Sequence, residues 1–264
     1  LLNERKYGPL QDAWKAINKS EEDPFVLMFR SKNHEPSITC VEVTASVHNE
    51  TLKIVNFTRT YYNKTDQQNH TLMYQVRALK QEKYSTENVI RAGLNGTPSD
   101  KPIPLGSNMY IEYGDYSCNS STKPLSDMLK AAKPESADPV EGVNYLDFYV
   151  VYNQPLCNIL RSPLLKGGCD FWLKKSELPG VLERAENFTK SIQSKVEDRQ
   201  GEEKSDTAAE SEDITKVKTP TFAQALFRSL PTACRYAFIC ACGYPNDMMY
   251  DKSTCENTQT DKTS

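Results

Sequence analysis

The sequence lacks the features that mark membrane proteins and nucleic-acid-binding proteins. No apolar run reaches the roughly 18 residues of a membrane-spanning helix, and hydrophobic residues make up 38% of the chain. Lysine and arginine number 32 against 35 acidic residues, and they form no basic stripe. Proteins that bind nucleic acid concentrate their positive charge. We therefore predict neither a membrane nor a nucleic acid as partner.

Motifs of catalysis are also missing. The sequence has no Gly-x-Ser-x-Gly elbow, no glycine-rich phosphate loop and no His-Glu-x-x-His helix. Its three histidines are His34, His48 and His70, and two of them lie beside glycosylation motifs. We predict that the protein is not an enzyme and that it carries no cofactor and no metal.

Cysteine is abundant, in contrast. The chain has eight cysteines, an even number, without the paired C-x-x-C or histidine ligands of a structural zinc site. Disulfides are typical of oxidising compartments, so four disulfides and an extracellular, secreted protein are predicted. The cysteines are Cys40, Cys118, Cys157, Cys169, Cys234, Cys240, Cys242 and Cys255.

Asn-x-Ser/Thr motifs are more frequent than chance allows. Eight occur, where scattered residues would give roughly three, and four of them fall between Asn49 and Asn69. We predict a glycoprotein whose outer surface carries the glycans. The predicted glycosylation sites are Asn18, Asn49, Asn56, Asn63, Asn69, Asn95, Asn119 and Asn187.

Short apolar or alternating runs, separated by Gly, Pro, Asn or Asp, follow one another through the first two thirds of the chain. About eight such strands with no helix between them predict an antiparallel meander, and closure into a barrel removes its exposed edges. The runs are Phe25–Arg30, Ile38–Val43, Leu52–Thr58, Leu72–Leu79, Asn88–Ala92, Met109–Tyr116, Tyr145–Tyr152, Leu156–Leu160 and Phe171–Leu173.

Other segments have helical spacing or low apolar content. Leu10–Ile17 behind Pro9 predicts a short N-terminal helix with Trp14 as an aromatic plug. Helical spacing recurs in two later segments, and two polar tracts predict a long loop and a disordered region. These are Val181–Ile192 and Thr221–Phe238, the latter interrupted at Pro231, then Ser120–Glu141 and Ser194–Lys218. We expect one domain, 1–264, with insertions at about 119–144 and 182–219.

A series of motifs follows one another along the chain: Gln11–Lys15, Thr39–Val43, Pro155–Leu160, Cys169–Leu173, Leu230–Cys234 and Tyr250–Cys255. In this order they resemble the motifs of the tick salivary lipocalins, the histamine-binding protein family. The resemblance covers most of the chain outside the two insertions.

The resemblance implies a fold and a set of disulfides. The fold is an all-β, eight-stranded antiparallel lipocalin-type barrel with a short N-terminal helix and a C-terminal helix packed outside. The implied pairs are Cys40–Cys255, Cys157–Cys234, Cys169–Cys242 and Cys118–Cys240, with Cys240 and Cys242 able to exchange partners. Each disulfide would add roughly 2–4 kcal/mol to the free energy of unfolding.

The resemblance also implies a function, the sequestration in tick saliva of a host small-molecule mediator, which blunts host inflammatory defence. A biogenic amine, histamine or serotonin, is the first expectation. A buried ammonium needs a carboxylate and aromatic faces. Asp170 and Trp172, on one face of a strand, are the main predicted ligand-binding residues, and Glu35 and Asp147 are further acidic candidates. The alternatives are that Asp170 hydrogen-bonds inside the barrel to orient a neighbouring residue and that Trp172, like Trp14, is a core plug.

The chain departs from the family pattern. Lys32, Ile90 and Ala92 stand where a histamine binder has aromatic residues, and Asn158 stands where the family has an acidic residue. A second amine site is therefore not expected to be complete.

Two alternatives remain open. A fatty acid or eicosanoid would suit a cavity lined by apolar residues, with Lys32 or Arg77 neutralising its carboxylate. The predicted lining of such a cavity is Phe25, Leu27, Val76, Ile111, Phe148 and Val150. A host immune protein that binds the loops is the other alternative. We expect a monomer.

Overall fold

A computed structural model describes most of the predicted barrel. The predicted strand Met109–Tyr116, the insertion at 119–144 and the residues Glu35 and Cys118 lie outside the described residues. The described ranges are 8–18, 23–31, 37–81, 84–93, 97–100, 145–162, 168–202 and 220–260.

Eight antiparallel strands form the wall of a closed barrel. Each strand pairs with the next along the chain, β8 pairs with β1, and β1 pairs with β2 to complete the circle. The strands are β1 (Phe25–Arg30), β2 (Ile38–Asn49), β3 (Ile54–Asn63), β4 (Gln68–Leu79), β5 (Val89–Gly93), β6 (Tyr145–Gln154), β7 (Cys157–Ser162) and β8 (Gly168–Lys174). The predicted lipocalin-type barrel is confirmed.

Alternation of side chains sets which residues face the interior. In β4, Tyr74 and Val76 face the interior, whereas Gln75 lies on the outer face and donates a hydrogen bond to Asn56. In β6, Phe148 and Val150 face inward. The inner face is therefore mainly apolar and aromatic.

A two-residue strand, β9 (Asp247–Met248), fills the gap where β1 and β2 separate. These two strands pair directly only at Phe25↔Val43 and Val26↔Glu42. Beyond that point β9 pairs with β1, opposite Phe29 and Arg30. We call this part of the wall, where the C-terminal segment lies between β1 and β2, the seam. No periodic pattern in the sequence predicted β9.

Helices flank the barrel at both ends of the chain. The short N-terminal helix is confirmed, and the Asp12 carboxylate caps it by accepting a hydrogen bond from the Lys15 N–H. Pro231 separates two helices, as the interruption predicted. The helices are α1 (Ala13–Ile17), α2 (Leu178–Glu202), α3 (Phe222–Ser229), α4 (Thr232–Cys242) and α5 (Lys252–Thr260). Among the described residues, no helix has the length and apolar content to span a membrane.

Helix α2 is longer than its apolar spacing predicted. The spacing ended at Ile192, but the helix continues to Glu202. The prediction of disorder from Ser194 is therefore wrong for 194–202, because charged and polar residues have adequate helix propensity without an apolar stripe. Residues 203–218 lie outside the described part of the chain.

Three disulfides join the barrel wall to the C-terminal region. Cys157 and Cys169 bond to the two ends of α4, at Cys234 and Cys242, and Cys40 bonds to Cys255 in α5. These are three of the pairs that the family resemblance implies. The fourth, Cys118–Cys240, includes a residue outside the described ranges and stays a prediction.

The helices cover an apolar core on the outer face of the wall. Phe29 and Phe171 project outward and meet Phe227 and Phe238 edge to face, with centroid separations of 5.3 Å and 5.6 Å. The protein therefore has one core outside the wall, beneath the helices, and a second apolar cluster inside the barrel.

Candidate functional site

The barrel interior contains a cavity of about 80 Å³. Helix α1 and the residues before β1 line one end of it, and all eight barrel strands contribute to the sides. The lining residues are Ala16, Ile17, Asp23, Pro24, Phe25, Val43, Ala45, Phe57, Tyr74, Val76, Ile90, Phe148, Asn158, Leu160, Asp170 and Trp172. Five of them are aromatic, so the cavity combines ring faces with a few polar groups.

Asp170 and Trp172 lie together on the inner face of β8, as the sequence predicted. Both line the cavity, and Asp170 is only 4% exposed. The residue between them, Phe171, projects outward into the helical core. Alternation along β8 thus brings a carboxylate and an indole into one cavity.

Asp170 is not an unpaired carboxylate. Arg30 lies opposite it on β1, and its Nε donates a hydrogen bond to Asp170 Oδ1 over 2.9 Å. Both side chains are buried, where the loss of one partner leaves an uncompensated charge. Charge balance in the cavity therefore depends on Arg30.

The sequence did not predict Arg30 inside the barrel. Val26 and Met28 face the outer core, and strict alternation would place Arg30 with them. A register shift between Leu27 and Phe29 reverses the alternation, so Arg30 faces inward opposite Asp170. No residue in β1 marks this bulge.

The Trp172 indole has an unused hydrogen-bond donor. Its Nε1 is buried and has no hydrogen-bond partner among the described residues. A buried donor without a partner costs about 1–3 kcal/mol. A ligand with a hydrogen-bond acceptor would remove that cost.

A second carboxylate, which sequence reasoning missed, lines the α1 end of the cavity. Asp23 accepts hydrogen bonds from Lys174 Nζ at 2.7 Å and from the Ser176 backbone and hydroxyl. Burial alone would raise the pKa of Asp23, but these hydrogen bonds outweigh it and lower the pKa. Asp23 is therefore paired with a cation, Lys174, as Asp170 is paired with Arg30.

Asn158 also lines the cavity. Its amide accepts a hydrogen bond from Asn153 and donates one to the Ala16 carbonyl. The side chain therefore ties β7 to α1 and brings no negative charge.

The other predicted ligand residues do not join this site. Asp147 lies on the face of β6 opposite Phe148, where both of its oxygens accept hydrogen bonds from Arg91 at 2.7 Å and 2.8 Å. It lies outside the cavity, because its neighbour Phe148 faces inward and adjacent strand residues point to opposite faces. Arg77 likewise faces outward, 3.9 Å from Asp100. Glu35 and Lys32 lie outside the described residues.

The predicted apolar lining is partly present. Phe25, Val76 and Phe148 line the cavity. Val150 faces inward within the apolar cluster beneath α1, and Leu27 belongs to a separate cluster with Met249. Ile111 lies outside the described residues.

The cavity volume bears on the size of any ligand. A cavity of about 150 Å³ holds a benzene molecule, and pockets for drug-sized ligands measure roughly 300–1,000 Å³. At about 80 Å³, this cavity must widen for a single ring, and it must widen several-fold for a sterol or a long acyl chain. Its size favours a small ligand.

Comparison with known proteins gives a family and a structural neighbour. A sequence profile described as tick histamine binding protein matches residues 1–257. Among solved structures, the chain is similar to Japanin from Rhipicephalus appendiculatus bound to cholesterol, with 14% identity and a TM-score of 0.41. That alignment covers 90% of this chain and 97% of Japanin. Comparison with curated protein sequences gives no match.

Proposed function

The chain belongs to the tick histamine-binding protein family, and we propose that it is a secreted salivary lipocalin that sequesters a small aromatic amine of a host. Histamine and serotonin define the chemical class. The observation that carries this proposal is the buried Asp170 carboxylate beside Trp172, in a small cavity lined by aromatic rings. Removal of such a mediator from its receptors would blunt host inflammation.

Binding proceeds as an exchange of cations on Asp170. The ligand ammonium replaces the Arg30 guanidinium at the carboxylate, so Asp170 stays paired, and the Arg30 side chain must move toward solvent so that its own charge is not left buried and unpaired. Displacement of the Arg30 side chain also frees volume for the ligand ring. Aromatic faces around the site add cation–π attraction to the ammonium.

The Trp172 indole supplies a second point of recognition. Side chains two positions apart on a strand are separated by about 6.7 Å, so a ligand that meets both Asp170 and Trp172 is short. An imidazole nitrogen or a phenolic oxygen can accept the hydrogen bond from the unpaired Nε1. Simple alkylamines lack this acceptor and should bind more weakly.

Arg30 also supports a second candidate, an anionic lipid such as a fatty acid or a leukotriene. A guanidinium in a largely apolar interior is a suitable partner for a carboxylate. Against this candidate stand the small cavity and the two carboxylates that line it. Arg30 would compete with an amine ligand but would bind an anionic ligand, so substitution of Arg30 distinguishes the two candidates.

The test is calorimetric titration of the purified full chain with histamine, serotonin and leukotriene. Arg30→Met removes the competing cation at nearly constant length, so we expect amine affinity to rise at least tenfold. Asp170→Asn should abolish amine binding. For an anionic ligand we expect the opposite result: Arg30→Met should lower the affinity, because it removes the cationic partner of the ligand carboxylate.

Asp147→Asn is the matched control. It breaks a second cross-strand Arg–Asp pair, Arg91–Asp147, which is equally buried but faces outward. We expect a similar loss of stability and unchanged amine affinity. Equal loss of binding in both Asp→Asn variants would contradict the proposed site. If no small molecule binds, the surface loops and a host immune protein become the better candidates.

A further inference from the structure

Met249 occupies the seam of the barrel. Its backbone N–H donates to the Met28 carbonyl at 2.9 Å, and its carbonyl accepts from the Cys40 N–H at 3.1 Å and from Thr39 Oγ1 at 2.7 Å. The residue thus takes a ladder position between β1 and β2, where those strands no longer pair. Its backbone is fixed from both sides.

The Met249 side chain points into the barrel. It is 2% exposed and forms a cluster with Leu27 and Val41, against which Tyr61 and Trp172 pack. Trp172 belongs both to this cluster and to the lining of the cavity. Met249 therefore belongs to a cluster that borders a residue of the cavity lining.

The neighbouring Met248 points the opposite way. It packs against the core between the wall and the helices, as expected for adjacent residues of an extended segment. The two methionines have the same side chain and are adjacent in the chain, but they have different surroundings. They form a natural pair of test and control positions.

We infer that the Met249 side chain sets the upper limit on the length of ligand that the barrel accepts. Of the proposed function, this inference requires only that the barrel interior binds a small molecule. Truncation to alanine removes Cγ, Sδ and Cε, and a buried Leu or Met truncation leaves space that the surroundings fill only in part. The freed space adjoins Trp172, so it extends the cavity toward the seam.

The experiment measures binding of straight-chain primary alcohols, from butanol to dodecanol, to the full chain by calorimetry. Alcohols are neutral, so their binding is insensitive to the Arg30–Asp170 pair. In the wild-type protein, affinity should rise with each methylene until the chain no longer fits. In Met249→Ala we expect that cut-off about three carbons later, with at least tenfold tighter binding of the first alcohol that wild type rejects.

Met248→Ala should keep the wild-type cut-off, and so should Met249→Leu, which restores the volume. Near-UV circular dichroism establishes whether each variant is folded. If Met249→Ala is not folded, Met249→Val serves as a milder truncation. An unchanged cut-off in the truncated variants, an equal shift in Met248→Ala, or no alcohol binding to any variant would overturn the inference. A shifted cut-off without histamine binding would instead remove the amine proposal and leave the inference standing.

Discussion

Tyr250 shows how strongly the end of the seam is buried. It follows Met249, is 5% exposed and belongs to the core between the wall and the helices. Burial, together with the nearby Glu256 and Asp251 carboxylates, raises the pKa of Tyr250 to about 12. The folded protein therefore retains this proton where an unfolded chain releases it.

This retained proton predicts a loss of stability in alkaline solution. From pH 10 to about pH 12 the folded state binds more protons than the unfolded state, so the free energy of unfolding falls as pH rises. Tyr250→Phe should make that fall shallower, measured by urea unfolding at pH 9 and pH 11. Tyr236→Phe, at a position 59% exposed, should behave as wild type. Equal slopes for all three proteins would contradict the burial argument.

At the residue level, inward and outward positions could be predicted only where alternation is regular. Phe148 on β6 faces inward, and counting from it correctly places Asp147 outside, so this candidate could have been rejected from the sequence. Arg30 could not have been found, because the bulge that turns it inward has no sequence signal. Trp172 and Asp170 were predictable, since β8 has no such irregularity.

At the level of elements, the C-terminal segment replaces a missing part of the barrel wall. Between Gly243 and Cys255 the chain forms no long strand, yet β9 and Met249 supply the ladder that β1 and β2 lack. Disulfides hold this segment at both ends, through Cys242 and Cys255. The seam is thus held by two disulfides and not by a long hydrogen-bonded strand.

Removal of the Cys40–Cys255 bond should therefore loosen the seam selectively. For the double variant Cys40→Ser, Cys255→Ser we expect a loss of roughly 2–4 kcal/mol in the free energy of unfolding and faster hydrogen exchange of the Met249 amide. Removal of Cys157–Cys234, which joins β7 to α4, should cost a similar amount but leave the Met249 amide protected. Equal exchange in both variants would show that the disulfide does not hold the seam.

Strands with an apolar or alternating pattern could be predicted from the sequence, whereas the two-residue β9 could not. The predicted Phe25–Arg30 has the bounds of β1, and β4 begins four residues earlier than predicted because its first residues are polar and lack alternation. β9 could not be predicted, since two residues carry no periodicity and their strand geometry comes from the neighbours on either side. Tertiary contacts, not local propensity, create it.

For the whole molecule, the asparagines of the described glycosylation motifs are not part of the cavity lining. Of these, Asn18, Asn49, Asn69 and Asn187 are exposed. Asn56 lies on the outer face, bonded to Gln75. Glycans at these positions would cover the wall and leave the interior unchanged.

Enzymatic deglycosylation of the protein from a eukaryotic secretory host should therefore reduce its apparent mass without changing amine affinity by more than about twofold, because none of the described asparagines lines the cavity. Gel mobility and calorimetry on the same samples measure both quantities. A larger change in affinity would place at least one glycan near the entrance of the barrel. Single Asn→Gln variants at Asn18 and Asn187 would then identify the end of the barrel at which that glycan lies.

The position of the seam also orders events during synthesis. The residues that complete the wall lie near the carboxyl end, and the bond that holds them spans 215 positions of sequence. All eight Asn-x-Ser/Thr motifs start at or before Asn187, so each emerges from the ribosome while the sheet is still open. Sugar transfer to these motifs would thus precede closure, and a polypeptide that terminates before Asp247 would be left with a bare edge on β1 that other chains can join.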